Sequence, residues 1–491
     1  MSDAAVTPAV DASTTPRDVR EIRSWDLEAD VVIVGLGCAG ASAAIEARGA
    51  GAEVIVLERA SGGGGTSAVS GGLIYCGGGT PVQTKSGFED SPEEMFKYLM
   101  ASSGPGPDEA KIRLYCERSV EHFLWLEEQG VPFKASFYPE SGGEPPTDDG
   151  LVFSGSENAH PFNQIAKPAP RGHCPQIENA AGGFLMQKLL AAVERMGSCI
   201  HTDSRCESLV VDAQGRVVGV VVGTGSVERG VRARQGVVLT AGGFINNKAM
   251  VTKYAPLLRK CKYRVGTEGD DGSGIRMGIG VGGAAIRMDA GDISLPYYPP
   301  HQLMKGILVN GYGQRFINED AYYGRVGEFA LLHQDGRAFL IVDDEIFARP
   351  RVGMELAAVG ESVAELESEL GLPQGALQST VGFYNGHAAL GEDPLFHKSR
   401  DYLTPLIHPP LGALDCTCEN ALYATFTLGG LHTNTWGEVL RPDGDAIPGL
   451  FAAGRTTSGI SAQGYNSGVS IADATFFGRQ CGKRAAAIGN E

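Results

Sequence analysis

Residues 30–58 read DVVIVGLGCAGASAAIEARGAGAEVIVLE, and this stretch decides the fold. Asp30–Val34 is a short apolar run, long enough for one buried parallel strand. Gly35-Leu36-Gly37-Cys38-Ala39-Gly40 follows, then an Ala-rich stretch of high helical propensity. A second β-branched run, Val54–Leu57, ends at Glu58. The order is strand, tight turn, helix, strand, acid. In such a unit Gly35 permits the turn, Gly37 lets backbone approach a pyrophosphate and Gly40 lets the helix pack on the strand. Helix-start N–H groups, with Cys38 and Ala39 among them, favour phosphate. Glu58 is placed to accept hydrogen bonds from ribose hydroxyls. A dinucleotide site is the prediction, and the turn does not say which dinucleotide.

At ~150 residues per domain, the 491 residues suggest two or three domains. Hydrophobic content of 43% and charged content of 20% suit a soluble globular enzyme. The net charge of −17 argues against a nucleic-acid or anionic-membrane partner. The ten cysteines form no CxxC pair, and Cys416 and Cys418 are badly spaced for a structural zinc. They read as reduced thiols in a cytoplasmic protein, with no metal site expected. No signal peptide is visible, and no run approaches the ~20 apolar residues of a membrane span.

Residues 1–24, rich in Ala, Thr, Pro and Asp, read as a mobile tail. The Gly/Ser/Thr loop 61–79 is either a linker or a cofactor wrap that uses backbone amides and the hydroxyls of Thr66, Ser67 and Ser70. Helices are predicted over Ser91–Ser103, Pro107–Gly130 and Gly183–Met196. Residues 131–180 are irregular, which fits a lid, a channel wall or a plain insertion. Strands are predicted at Glu207–Val211, Val217–Val222 and Val237–Thr240, the last running into Ala241-Gly242-Gly243-Phe244. From 291 to 418 aromatics and prolines rise, which marks a candidate inserted domain. The first pattern returns over 419–491.

The motifs together resemble the fumarate reductase and ketosteroid dehydrogenase superfamily of flavoproteins. They are GLGCAG with Glu58, GTSAVSGG at 65–72, TAGGF at 240–244, GDDG at 269–272, QRFINE at 314–319, LGG at 428–430 and GLFAAG at 449–454. The resemblance implies an α/β fold: a Rossmann-like, GR2-type FAD-binding domain, like that of succinate dehydrogenase and fumarate reductase flavoproteins. That domain spans 25–290 and 419–491 and is split by an α+β catalytic, or capping, domain at 291–418. It implies FAD as cofactor. A histidine attaches the flavin at the start of GTSAVSGG in succinate dehydrogenases, and Gly65 stands there here, so the FAD is expected to be non-covalent. The cofactor positions carried over are Arg59, Gly71, Gly72, Cys206, Ala241, Gly242, Gly243, Asp271, Gly454 and Arg455. Gly468, Val469, Ser470 and Ile471 join them at the start of a helix over Gly468–Gly478. There the Val469 and Ser470 amides are expected against the flavin pyrimidine. An acid common after GLFAAG in relatives is Arg455 here.

Dicarboxylate-reducing members carry an arginine proton donor a few residues after RFxNE, and Tyr323 occupies that place. The ketosteroid branch that acts at C4–C5 carries a tyrosine and, two residues on, a serine before the last flavin helix. These match Tyr465 and Ser467. The resemblance implies removal of a C4 proton and of the 5α hydride, the hydride going to flavin N5. Tyr465 donates to the ketone oxygen, and Ser467 acts as base. A serine is a weak base and needs a relay, for which Tyr323 is preferred over Tyr322. The expected partner is a 3-ketosteroid, with the electron acceptor unspecified. A Δ1-dehydrogenase, a fumarate-type ene reductase or a non-redox FAD-binding protein are the competing readings.

Overall fold

The computed structural model describes residues 15–179, 181–224 and 227–488. Leu27–Val34 lies inside a nine-stranded sheet, flanked in parallel by Val54–Leu57 and by the C-terminal half of Val227–Leu239. Cys199–His201 extends one side, and Ala446–Ala452 also pairs in parallel with Val227–Leu239. Alternate side chains serve opposite layers. Val31 and Ile33 join the core under the first helix, Cys38–Gly49, while Val32 and Val34 join the core on the other face. Both faces are covered, and so the strand reads as a continuous apolar run.

The helix Val469–Ala487 lies against Cys38–Gly49. Glycines set the closeness of that crossing. A Cβ on Gly478 would fall on the Ala39 carbonyl, and one on Gly482 on the Ala43 carbonyl. Positions four apart share one helix face, so two glycines suffice to let the backbones touch.

The strand expected at Val237–Thr240 is the end of a longer one. Val227–Leu239 pairs antiparallel with Val217–Thr224 over its first half and, from Val231 on, parallel to Leu27–Val34, with a register shift in that parallel ladder between Ala233 and Gly236. Exposed charges along its first half hide the alternation. The helix expected over Pro107–Gly130 breaks at Arg118 into Glu109–Glu117 and Ser119–Glu128. There the Ser119 hydroxyl accepts from Gly77 N at 3.0 Å. Of the expected tail, residues 1–14 lie outside the described residues. The rest is built in: Arg17–Asp18 pairs with Val210 and Val211, and Asp18 caps the next turn through Arg20 N at 2.8 Å.

Within 291–418 a four-stranded antiparallel sheet joins Ile307–Asn310, Ala338–Val342, Leu411–Asp415 and Leu356–Gly360. The QRFINE motif anchors it. Arg315 makes paired contacts to Glu319 at 2.8 and 3.0 Å and to Asp393 at 2.9 Å, and Lys398 lies 3.3 Å from Glu319. All four are buried. A second, three-stranded sheet joins this region to the nucleotide-binding part through Gly291–Ser294, Ala424–Thr427 and Tyr263–Arg264. The helix Tyr323–His333 packs on Gly291–Ser294, where a Cβ on Gly327 would meet the Ile293 carbonyl. That contact fixes where the helix start, and its two tyrosines, enter the cavity below. Among the described residues no helix is long and apolar enough to cross a membrane, and no His/Cys/Asp/Glu group could hold a metal ion.

Candidate active site

A cavity of about 840 Å³ runs from the first glycine turn to the helix start at Tyr323. Gly35, Gly37, Cys38, Ala39, Glu58 and Arg59 line one end. Gly65, Thr66, Ser67, Ser70, Gly71 and Gly72 form a wall, with Cys206, Ala241 and Gly242 beside it. Gly454, Arg455, Tyr465, Ser467, Gly468, Ser470 and Ile471 close the other side, together with Tyr322 and Tyr323. The expected positions therefore converge on one long cleft, though they come from both ends of the chain. Glu58 is buried and holds the turn: its carboxylate accepts from Leu36 N and from Ala60 N, each at 2.8 Å. Gly35 sits at φ +101°, a conformation that favours glycine, with no room for a Cβ against Thr240.

Four expected cofactor positions, Gly40, Gly243, Asp271 and Val469, do not line the cavity. Gly40 serves the packing of helix on strand, because a Cβ there would strike the Gly35 carbonyl. Gly243 stands behind the wall, its amide donating to Asp270 at 2.9 Å. Asp271 turns away to Arg59 at 2.8 Å, and its neighbour Asp270 faces the cleft. Val469 N donates to the Asn466 carbonyl at 3.1 Å, and Ser470 N donates to the Tyr465 hydroxyl at 3.3 Å. Those two amides hold the Tyr465–Ser467 turn.

Asp270, beside the expected Asp271, is the hub of this wall. It accepts from Gly243 N, Thr267 N and the Thr66 hydroxyl, and it pairs with Arg455 at 2.8 Å. This explains an arginine after GLFAAG: Arg455 balances a buried carboxylate in the wall. Its Nη1 is buried with no protein partner, a spare donor at the edge of the cleft.

At the other end Tyr465-Asn466-Ser467 is held rigidly. The Tyr98 hydroxyl donates to Asn466 Oδ1 at 2.6 Å, and Asn466 Nδ2 donates to the Ser102 hydroxyl at 2.9 Å. Ser467 N donates to the Ser154 carbonyl at 3.0 Å, and the Ser154 hydroxyl returns a bond to the Ser467 carbonyl at 2.9 Å. Gly468 adopts φ +94° to start the helix. The Tyr465 ring stands edge-on to Phe426, and burial pushes its phenol up to about 12.

The hydroxyls of Tyr322 and Ser467 lie 2.8 Å apart. Of the two tyrosines named as relay candidates, Tyr322 makes the short hydroxyl contact, whereas Tyr323 is the one preferred from the sequence. Tyr322 is the cap residue of its helix, with φ −55° and ψ 133°, and points inward. Tyr323 begins the helix, and its hydroxyl reaches the segment 131–180, where a Cβ on Gly143 would lie 2.8 Å from it. The two rings are 4.5 Å apart. Burial raises both phenols well above their usual range. Asp292, also missed, lines the same end with Ser294. Its carboxylate is pushed up to about 7 by burial, and it accepts from the Ser294 hydroxyl at 2.9 Å.

A cleft this long, with a glycine turn at one end and a helix N-terminus at the other, is the cradle of an extended dinucleotide. The chain belongs to the FAD binding domain family, whose model matches residues 30–472, and it is an FAD-dependent oxidoreductase. It is 31% identical to the 3-oxo-5-alpha-steroid 4-dehydrogenase of Comamonas testosteroni, over 88% of this chain and 93% of that one. It is similar, at 49% identity and a TM-score of 0.92, to the crystal structure of 3-ketosteroid-Δ4-(5α)-dehydrogenase from Rhodococcus jostii RHA1 in complex with 4-androstene-3,17-dione, covering 96% of this chain and 99% of that one. Identity to a cytochrome-type fumarate reductase of Shewanella frigidimarina is 28%, over 93% of this chain and 77% of that one. The residues present fit FAD. The turn, Glu58 and the Arg455 Nη1 supply donors and acceptors along the cleft, and Gly65 offers no side chain for a covalent link.

Proposed function

We propose that the chain is a 3-ketosteroid Δ4-(5α)-dehydrogenase, forming the C4–C5 double bond of a saturated 3-keto-5α-steroid. The observation that carries this reading is the 2.8 Å contact between the Tyr322 and Ser467 hydroxyls, with Tyr465 two residues away on the same cavity wall. When bound, FAD supplies the hydride acceptor for C5. Tyr465 donates to the ketone oxygen, and that bond strengthens as negative charge builds there. Ser467 takes the C4 proton while its own passes to Tyr322, which gives a weak base the partner it needs. Phe426, Pro296 and Ala424 offer the apolar contact that a flat hydrocarbon requires. The similarity to the two steroid enzymes supports the same substrate class.

A dicarboxylate substrate needs free cations. Among the described residues lining the cavity the cations are Arg59, Arg205 and Arg455, and each is paired with Asp270 or Asp271. No histidine lines it. The test is anaerobic addition of 5α, 5β and already unsaturated 3-ketosteroids to the flavin-loaded enzyme. The 5α compound alone is expected to bleach the flavin. Bleaching by none of them, with reoxidation of the chemically reduced enzyme by fumarate, overturns the reading.

A further inference from the structure

Proton removal at C4 creates a disposal problem. Ser467 and Tyr322 sit inside the protein, and neither can hold an extra proton between turnovers. Two carboxylates face the tyrosines. Asp292 is 5% exposed, takes a hydrogen bond from Ser294 and has Glu328 behind it. A proton delivered there stays enclosed. Glu144 is the other, and it differs in every respect that matters for exit. It lies on the segment 131–180 beside Gly143, which touches the Tyr323 hydroxyl. It is exposed, it lines the main cavity, and it also lines a second, outer pocket with Asn179 and Arg351. Among the described residues its carboxylate has no hydrogen-bond or ion-pair partner. Its position is set by the flavin loop, since a Cβ on Gly71 would fall on the carboxylate itself.

Tyr323 joins the two halves. Burial raises its phenol and the nearby Glu144 charge adds to that, and its ring lies 4.5 Å from the Tyr322 ring. Tyr322 leads inward to Ser467 through its 2.8 Å hydroxyl contact, and Gly143, beside the Tyr323 hydroxyl, leads outward to Glu144. The remaining groups around Glu144 are the Cys174 thiol and the Arg351 guanidinium.

We propose that Glu144 is the proton exit of this site. It acts through Tyr323 as a relay residue. The C4 proton goes to Ser467 Oγ, the Ser467 proton to Tyr322, the Tyr322 proton to Tyr323, and the Tyr323 proton to the Glu144 carboxylate, which releases it to water. Each hydroxyl gains one proton and loses one, and the electron pair of the C4–H bond becomes the new double bond as hydride leaves C5. This rests on the 3-ketosteroid reading above.

The test uses flavin-loaded wild type, Glu144→Gln and Glu144→Ala with a saturated 5α-3-ketosteroid. Gln keeps the contact on Gly71 but accepts no proton. A kcat reduced about tenfold to a hundredfold is expected, smaller than the ~10²–10⁴ of a direct acid–base group, with KM unchanged. In Glu144→Ala, added formate is expected to restore much of the loss, because a small acid enters the space left at the outer pocket. Ser467→Ala is expected to be insensitive to formate. A Glu144→Gln enzyme within twofold of wild type overturns the proposal. So does a slowed Glu144→Ala that formate does not accelerate, since the residue then only supports the loop. Wild type that leaves the steroid untouched overturns the functional reading and this proposal together, whereas an active wild type with an unaffected Glu144→Gln overturns the exit alone.

Discussion

Replacing Tyr322 by Phe removes one hydroxyl and leaves the buried ring in place. The lost contact is the 2.8 Å bond to Ser467. If that bond only orients the serine, its loss costs the ~0.5–1.5 kcal/mol of an ordinary hydrogen bond. At about 1.4 kcal/mol per factor of ten, that is at most about tenfold in rate. If the tyrosine receives the serine proton, the loss is the ~10²–10⁴ of general acid–base catalysis. The two roles therefore separate near tenfold. The assay is stopped-flow reduction of the flavin by a 5α-3-ketosteroid in a single anaerobic turnover, which excludes the reoxidation step. A decrease of more than a hundredfold is expected, with about 1 kcal/mol lost in urea unfolding. Reduction slowed by less than tenfold refutes the relay and leaves Tyr322 as a spacer for Ser467.

Gly478→Val is expected to yield protein without flavin absorbance, because the added carbons meet the Ala39 carbonyl and part the two helices; normal flavin content would show that the crossing can relax. Arg315→Met leaves the Glu319 and Asp393 carboxylates buried beside Lys398 alone, and a loss of about 3–5 kcal/mol in denaturant unfolding is expected. Asp292 and Glu328 are both pushed up to about 7 by burial. The folded chain keeps those protons where the unfolded chain, titrating near ~4, has lost them. They therefore stabilise the fold below ~4, and that contribution is lost as pH rises to about 7. Asp292→Asn is expected to shrink the stability difference between pH 5 and pH 7 in urea titrations, and an unchanged difference would place the titration elsewhere.

The nucleotide unit is legible because its constraints are local. Gly35, Gly37 and Glu58 stand within one strand–turn–helix–strand, where Gly35 takes the positive φ of the turn and Glu58 accepts from Leu36 N. Adjacent residues of the same type are not legible, because the choice depends on a helix start or loop turn that no spacing shows. Tyr322 caps a helix and Tyr323 begins it, so the rings diverge. Asp270 faces the cleft and Asp271 faces Arg59 for the same kind of reason. The Val469 amide looked available as a helix-start donor, but the turn of Asn466 takes it. Asp292 and Glu144 carried no motif. Their importance comes from partners distant in sequence: the helix Tyr323–His333 for one, and Tyr323 with the flavin loop for the other. The antiparallel sheet of 307–415 was likewise hidden, since its strands pair out of sequence order.

The crossing of Cys38–Gly49 on Val469–Ala487 bears on how each molecule comes into being. A chain made from its N terminus presents the Ala39 and Ala43 face long before Gly478 and Gly482 exist to cover it. Contacts so far apart in sequence form late and leave apolar surface open meanwhile. The nucleotide turn is thus written early but has no far wall until the helix at 469–487 arrives. Loading of the flavin is in this sense a closing act of synthesis, and a chain stalled before that helix holds a half-built cradle.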